Sequence, residues 1–350
     1  MTTNHGARPL LVLDEDQRML VDAAQELIAT EAPVSRARSV RDAGAVIDDA
    51  LWKHLIELGW AGVLVPEEHG GLGLGLPEAM AFMEVAGRYL AATPMLSALM
   101  VGPLAPQLGT ADGTRVALAW QEHPRQPDPA RVETRWDGAT VTGTKVLVLD
   151  GAQAEVLIVS ARDPKGTLVL LSVDAAQADI TPLRRADHRD AARVRFDHVP
   201  GRPLPGTADD LVAAIDRGTL ALSAELLGLA GAMLDRTLDY LRTRTQFGRP
   251  LGAFQALQHR AVDAFIGVEL TRSAMLAASF EPSSLHTSLA KAQAATAAAR
   301  IAEESIQLHG GIGMTDEHDL GMFFKRTFVA IASHGDARWH RRRWASLRGY

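Results

Sequence analysis

Two short segments combine residue types that could recognise a nucleotide. The first, Arg242–Gln255, reads Arg-Thr-Arg-Thr-Gln-Phe-Gly-Arg-Pro-Leu-Gly-Ala-Phe-Gln. Arginine presents paired planar donors that suit a pyrophosphate, while glutamine and phenylalanine can address a flat heteroaromatic ring. The glycines and the proline predict a rigid turn between two helices. This segment is therefore either a polar recognition site or a plain interhelical corner.

The second segment, Gln307–Met314, reads Gln-Leu-His-Gly-Gly-Ile-Gly-Met and follows a long helical pattern. Glycines at the end of a helix let a ligand approach the backbone closely. Taken alone, the segment is equally compatible with an ordinary helix C-cap.

No other local spacing indicates a reaction. The sequence contains no glycine-rich phosphate loop, no nucleophile elbow and no His-Glu-x-x-His. It has no cysteine, which removes thiolate nucleophiles and cysteine metal sites, and no metal site is predicted. The neighbouring pairs Glu122–His123 and Glu317–His318 are predicted to be solvated surface residues.

Composition excludes several classes of partner. A chain of 350 residues with 47% hydrophobic residues can bury a sizeable core in two or three domains. Its net charge of -6, with no dense basic run before Arg341–Arg343, indicates no nucleic-acid or anionic-membrane binding. Those three arginines are predicted to be a solvated helix end. Residues 1–8 are polar, and no stretch is expected to span a bilayer, so a cytoplasmic location is expected.

The first region of the chain is predicted to be helical. Apolar residues recur at helical spacing from Asp14, with Asp14 and Asp16 placed as N-terminal caps. A second helix is predicted over 48–58, and a third over 77–90 after the glycine-rich loop 65–73.

The character of the sequence changes near Gly109 and again near Asp209. Short β-branched runs bounded by Asp, Gly and Pro predict a small antiparallel β domain, with strands at 116–119, 139–142, 146–149, 156–159 and 167–173. Helical periodicity then returns for the rest of the chain, in long segments at 211–242, 254–278 and 284–308. The alanine-rich apolar stripe of the last segment is too extensive for a monomer to cover, which predicts oligomerisation.

The two glycine-containing segments resemble signatures of the acyl-CoA dehydrogenase family, Arg-x-x-Phe-Gly followed by Phe-Gln and Gln-x-x-Gly-Gly-x-Gly. The resemblance extends over nearly the whole chain. Trp52 to Gly73 resembles an N-terminal segment with Leu-Gly-Trp and then Val-Pro-Glu-Glu-x-Gly-Gly, and Asp137 to Lys145 resembles a strand pair that reads Asp-Gly and Gly-x-Lys. The family's helical, β, helical order matches the order predicted above.

The resemblance implies an α+β fold with three domains: an N-terminal helical domain over 1–112, a middle antiparallel β-barrel-like domain over 113–206, and a C-terminal four-helix bundle and oligomerisation domain over 207–350. It implies FAD, an acyl-CoA substrate and an electron-transfer acceptor. In the family's chemistry a carboxylate removes the α proton of the thioester while hydride passes from the β carbon to the flavin.

The family's usual glutamate is missing from both positions where members carry it. Counting along the chain from the second glycine of the Gly-Gly-x-Gly turn places His334 at the first position, with Asp336 close by. Either His334 accepts the proton, or the site has lost its base. At the second position, near the start of the first C-terminal helix, this chain has Gly218. Glu225 lies about two helical turns, or about 10 Å, further along and is a poor substitute.

The β domain departs from the family pattern as well. The segment 121–128 lacks the glycine and serine that help to hold flavin and substrate, and Leu147-Val148-Leu149 stands where the family usually has Trp-Ile-Thr. Hydroxyl contacts to the isoalloxazine and one aromatic wall are thereby lost. The pocket for the subunit's own flavin is predicted to be eroded.

The two segments that keep the family pattern are those that contact the neighbouring subunit's flavin in the family. The cofactor-binding residues implied by the resemblance are Arg244, Gln246, Phe247, Gln255, Gln307, Gly310 and Gly311. We therefore expect a heterotetramer in which this base-lacking chain completes the FAD site of a homologous catalytic subunit. Short actinobacterial members that act on steroid or other bulky acyl-CoAs are organised in this way. The alternatives are a self-sufficient homotetramer with an unusual base, and a non-enzymatic assembly protein.

Overall fold

In the computed structural model of the protein, residues 14–124 and 127–350 are described. Residues 1–13, the side chain of Asp16 and residues 125–126 within the segment 121–128 lie outside this description. The N-terminal region is helical, and Asp14 caps its first helix as predicted. Its helices are α1 (Glu15–Glu31), α2 (Val34–Asp42), α3 (Asp49–Glu57), α4 (Leu76–Arg88) and α5 (Met95–Val101).

The middle region is one mixed sheet of eight strands. They are β1 (Val116–Ala119), β2 (Arg135–Trp136), β3 (Thr140–Leu149), β4 (Val156–Arg162), β5 (Leu168–Asp174), β6 (Asp179–Pro182), β7 (Ala191–Pro200) and β8 (Arg202–Leu204). The order is β6-β7-β3-β2-β4-β5-β8, with β1 also beside β4. Most pairs are antiparallel, but β1 and β2 pair with β4 in parallel.

The C-terminal region is a bundle of long helices completed by two shorter ones. They are α6 (Ala208–Thr243), α7 (Gln255–Phe280), α8 (Ser284–His309), α9 (Leu320–Ala332) and α10 (Ala337–Leu347). A two-stranded hairpin, β9 (Thr245–Gln246) and β10 (Arg249–Pro250), separates α6 from α7. The C-terminal helical bundle predicted from the sequence is confirmed, and in the described residues the short α10 packs beside it against α8. The domain boundaries themselves stay predictions.

Helix α6 lies at the centre of the molecule and packs against α4, α5, α7, α8 and α9. By length and composition it could cross a membrane, contrary to the expectation from the sequence, but 94% of its most apolar window is buried inside the fold. A long, mainly apolar helix that is buried to this extent is a core helix of the fold. Because other elements surround α6, residues on more than one of its faces can contribute to a buried site.

Two glycines allow α4 and α6 to cross closely. A β-carbon on Gly228 would lie 1.9 Å from the carbonyl oxygen of Glu84, and one on Gly87 would lie 2.3 Å from that of Glu225. Both neighbours are backbone atoms, which cannot rotate away as a side chain can. The contact therefore fixes α6 against the N-terminal region.

We expect Gly228→Ala to lower the free energy of unfolding by about 1–3 kcal/mol or more, because the new methyl group has no room. Gly267→Ala in α7 is the matched control, since its β-carbon would meet Ala297 at an ordinary 3.6 Å. That variant should be stabilised by about 0.5–1 kcal/mol, because alanine loses less backbone entropy in a helix. Urea unfolding of both variants measures the difference, and equal losses would contradict the close crossing.

Candidate active site

The two positions at which the resemblance places the family's base meet at one buried point. His334 lies in the turn between α9 and α10 with φ of 55°, and it is 4% exposed. A β-carbon on Gly218 of α6 would lie 3.0 Å from Cε1 of His334 and 2.5 Å from Sδ of Met100. The structure thus brings together two residues that are more than a hundred positions apart. Neither of them is a carboxylate.

The surroundings of His334 keep its imidazole neutral. Trp120 meets the ring edge-on at a centroid distance of 5.6 Å, and Oγ1 of Thr219 lies 3.4 Å from Nδ1. Burial first, and then the charge of Lys291, lowers the pKa of His334 to about 3. Lys291 is itself fully buried and donates to the carbonyl oxygen of Ala330 at 2.7 Å. This histidine releases its proton far below neutral pH.

The buried histidine makes stability depend on pH in one direction. In the unfolded chain His334 has its ordinary pKa of 6.5, whereas in the folded chain its pKa is about 3. Between these two values only the unfolded chain binds the proton, so the free energy of unfolding falls as the pH falls. Relative to His334→Asn, the wild type should lose about 1.4 kcal/mol per pH unit between about pH 6 and 4. Asparagine tolerates a positive φ. Urea unfolding across this range checks the slope.

The matched control for this slope is His188→Asn, which makes the same change at an exposed histidine with φ of 56°. This variant makes the same substitution at a left-handed turn without opening the buried point around His334, so its free energy of unfolding should stay within about 0.5 kcal/mol of the wild type. Parallel pH profiles for the wild type and His334→Asn would show that His334 titrates alike in the folded and unfolded chains.

The other two candidate bases have structural roles. Asp336 is exposed and caps α10, where its carboxylate accepts from the backbone N–H of Trp339 at 2.8 Å. Glu225 is buried and accepts from Nε and Nη2 of Arg326 at 2.7 and 2.5 Å. Burial alone would raise the pKa of Glu225, but the Arg326 charge outweighs it and the net pKa is lowered. Neither carboxylate is available as a base.

The ion pair of Glu225 belongs to a larger buried charge network. Arg326 also donates to Asp187 at 2.8 Å, and Arg189 donates to the carbonyl oxygens of Leu90 and Ala91 at 2.6 Å each. Burial, followed by the charge of Asp190, raises the pKa of Asp150 to about 6. Charged groups therefore occupy the region between β3, α6 and α9.

The cavity beside this network is small. It has a volume of about 40 Å³ and is bordered by Leu149 at the end of β3, Leu222 of α6 and Ser333, which precedes His334. A water molecule needs about 10–15 Å³ by this measure, so the space suits about three waters. Water is therefore the occupant that this cavity fits, and neither His334 nor Gly218 is among the residues that border it. Leu147 lies in the segment where the resemblance implies an aromatic residue. Its φ is 53°, and it lies where the pairing of β3 with β7 shifts register.

Glu122, which was predicted together with His123 to be a solvated surface residue, instead belongs to a buried ion pair. The side chain of Glu122 is 5% exposed and accepts from the fully buried Lys145 ammonium at 2.6 Å. Its carboxylate also accepts from the backbone N–H groups of Glu133 and Thr134. The prediction was wrong for Glu122 because its partner lies 23 residues away on β3. This ion pair fixes the segment that begins at Gln121 onto the sheet.

The first predicted recognition segment, Arg242–Gln255, connects α6 to α7, and its part from Arg244 to Gln255 is called the hairpin corner below. The turn residues Phe247 and Gly248 both have positive φ, at 53° and 77°. Phe247 is 88% exposed, and Arg244, Gln246 and Gln255 are exposed as well. These groups project outwards and leave their side chains accessible for recognition. An exposed large aromatic residue at a turn is suited to a contact with a second molecule.

The second predicted segment, Gln307–Met314, lies at the same end of the bundle, and its part from Gln307 to Gly311 is called the glycine turn below. Tyr240, one turn before Arg244, stacks on His309 with ring centroids 4.4 Å apart. His309 is buried, its Nδ1 faces the carbonyl oxygen of Ser305 at 2.8 Å, and burial lowers its pKa. Gln307, Gly310 and Gly311 remain exposed. The stack therefore links the two segments, a contact that the sequence analysis missed.

The loop after the glycine turn is tied to the N-terminal region. Arg41 of α2 contacts both carboxylate oxygens of Asp316, at 2.7 and 3.0 Å, and Arg38 donates to Asp319 at 2.9 Å. Exposed ion pairs contribute little stability one by one. Their effect here is to orient the loop that leaves Gly311.

The chain is similar to known proteins along most of its length. Residues 14–114 match the N-terminal domain and residues 209–345 the C-terminal domain of acyl-CoA dehydrogenases. It is 32% identical over 331 residues to acyl-CoA dehydrogenase IpdE2 of Mycobacterium tuberculosis, covering 92% of each chain. It is 29% identical over 318 residues to acyl-CoA dehydrogenase FadE27 of the same organism, covering 81% of this chain and 84% of that one.

Solved structures share the fold. A chain of the Tcur3481-Tcur3483 steroid ACAD G363A variant superposes with a TM-score of 0.86 at 30% identity, covering 96% of this chain and 98% of that one. A chain of the ChsE4-ChsE5 complex from Mycobacterium tuberculosis has a TM-score of 0.88 at 26% identity, covering 97% and 98%. Butyryl-CoA dehydrogenase from Megasphaera elsdenii, at 20% identity and a TM-score of 0.87, has the same fold.

Proposed function

The chain belongs to the acyl-CoA dehydrogenase family, and from that premise we propose that it serves α,β-dehydrogenation of an acyl-CoA thioester as the base-lacking subunit of a heteromer. The observation that carries the proposal is the meeting of Gly218 and His334 at one buried point. A general base works best with a pKa near the working pH, whereas that of His334 is lowered to about 3.

The exposed segments supply the second half of the proposal. We infer that this chain's own flavin pocket is eroded, because Leu147-Val148-Leu149 stands where the resemblance implies hydroxyl and aromatic groups against the flavin. The hairpin corner and the glycine turn do suit the adenosine and pyrophosphate half of an FAD held by a partner. Arg244 would pair with phosphate, and Phe247 and Gln246 would address the adenine ring. When bound in the partner, FAD supplies the hydride-accepting chemistry.

Relatives support the class of substrate and partner. One similar solved structure is described as a steroid ACAD and another as a complex of two different chains. We propose a steroid-derived or similarly bulky acyl-CoA as substrate, a homologous catalytic subunit as partner in a heterotetramer, and an electron-transfer protein as acceptor. We propose the cytoplasm as the location.

The first experiment counts flavin per chain. The protein is purified alone and after co-expression with a homologous acyl-CoA dehydrogenase subunit that has an intact glutamate, and visible absorbance and protein are quantified. We expect little flavin alone and about one FAD per two chains in the complex. One flavin per chain in the isolated protein, bleached by an acyl-CoA, would favour a self-sufficient homotetramer. Colourless protein in every combination would favour an assembly protein.

A further inference from the structure

A large crevice lies on the side of α6 that faces away from His334. It has a volume of about 680 Å³, within the range of about 300–1,000 Å³ typical of small-molecule sites. On α6 it is bordered by Asp216 and Leu220. Gly218, which faces His334, is two residues from each of them and therefore about 160–200° round the helix. The crevice is thus separate from the small cavity described above.

The crevice is walled mainly by apolar side chains. They come from the loop before α4 and the first residue of α4, from Pro103 after α5 and from α6: Leu64, Leu74, Leu76, Pro103, Val212 and Leu220. The N-terminal end of α8 closes the remaining side with Ser284 and Thr287. A mainly apolar wall with few polar groups is the usual composition of a site for a hydrophobic ligand.

One of the acidic groups of the crevice is already neutralised. Asp216 accepts from Arg343 at 2.5 and 3.1 Å and from the hydroxyl of Ser284 at 2.5 Å. Arg343 therefore lies within α10 in a half-buried ion pair, and the prediction of a solvated helix end was wrong for it. The other acidic group, Asp209, is exposed in the first turn of α6, where solvent screens its charge.

Arg217 is the group that gives the crevice chemical selectivity. It is half-buried, and its Nε and Nη2 donate to the carbonyl oxygens of Leu99 and Met100 at 3.3 and 3.1 Å. Within residues 14–124 and 127–350 it forms no ion pair. A guanidinium has five N–H donors, so donors remain for a ligand. Burial lowers the pKa of Arg217 to about 10, which leaves it cationic at neutral pH.

We propose that this crevice binds an amphipathic carboxylic acid, with its hydrocarbon body against the leucine wall and its carboxylate on Arg217. A singly charged carboxylate fits better than a phosphate group, because Asp209 and Asp216 border the same crevice and would repel a second negative charge. A carboxylate also matches the paired donors of one guanidinium. The site is independent of the function proposed above.

The test compares two ligands of equal chain length by titration calorimetry of the purified chain. Decanoate, kept below its micelle concentration, should bind once per chain and about tenfold or more tighter than decanol. Arg217→Met should weaken decanoate by about tenfold or more and decanol by no more than about twofold. Arg131→Met, at an exposed arginine outside the crevice, should change neither affinity.

A second variant covers the case in which Arg217→Met disturbs the end of α5. Ala213→Trp fills the crevice from an exposed position on α6 and keeps Arg217 in the chain, and it should abolish binding of both ligands. Wild-type protein that does not bind decanoate, or that binds the alcohol as tightly as the acid, would overturn the proposal. So would an Ala213→Trp variant with wild-type affinity.

Discussion

Replacing Arg326 with methionine is expected to lower the free energy of unfolding by about 3–5 kcal/mol, the cost of leaving a buried charge without its partner. Arg326 is held between Glu225 and Asp187, both of which are buried. Without the guanidinium, two carboxylates would face each other across a methionine. Asp187 would keep Arg185 at 3.6 Å, but Glu225 would lose both of the hydrogen bonds from Arg326 that now offset its desolvation.

Urea unfolding at neutral pH measures this loss. The control is Arg195→Met, which removes an arginine from a surface pair with Asp197 whose side chains are 63% and 66% exposed. Surface pairs of this kind contribute about 0–1 kcal/mol. A loss of that size in Arg326→Met as well would mean that the Glu225 carboxylate is hydrated or protonated in the folded protein.

The second large effect concerns the hairpin corner and rests on the proposed heteromer. Arg244→Met in this chain should weaken the retention of FAD by the complex about 10–100-fold, because a hydrogen bond to a charged group is worth about 1.5–3 kcal/mol. The fold of the variant should not change, since Arg244 is exposed and follows the end of α6. Equilibrium dialysis of the complex against FAD measures the change.

Arg242→Met is the control for this experiment, because it removes the same charge two residues earlier. Arg242 is exposed and pairs with Asp239 at 3.0 Å, and it lies outside the Arg-x-x-Phe-Gly motif. If both substitutions weakened FAD retention equally, the effect would come from the change in net charge and not from Arg244 itself. Unchanged retention in Arg244→Met would remove this arginine from the cofactor site.

The sequence predicted the elements that carry a clear periodicity. The helices α1, α3, α4 and the three long C-terminal helices lie within a few residues of their predicted bounds. Helix α5 was missed because all of its residues are buried, so no apolar stripe repeats along it. Strand β7 was missed although its residues alternate between buried and exposed, a signal that could have identified it.

The candidate site was less accessible to prediction than the fold. Motif spacing located His334, Gly218 and the two recognition segments, because each is a local pattern. The ion pair between Glu225 and Arg326 joins residues 101 positions apart. No local spacing records such a contact, and the role of Glu225 could only be read from the packed structure.

The contact among Gly218, Met100 and His334 also bears on whether the missing base could be regained. A glutamate at position 218 would place its β-carbon 2.5 Å from the Met100 sulfur, and one at position 334 would have to adopt the left-handed backbone that glutamate disfavours. A glutamate at position 218 would therefore need the Met100 side chain to move, and one at position 334 would need the turn between α9 and α10 to change its backbone. Regaining a carboxylate at this point is expected to require a second, accommodating substitution beside it.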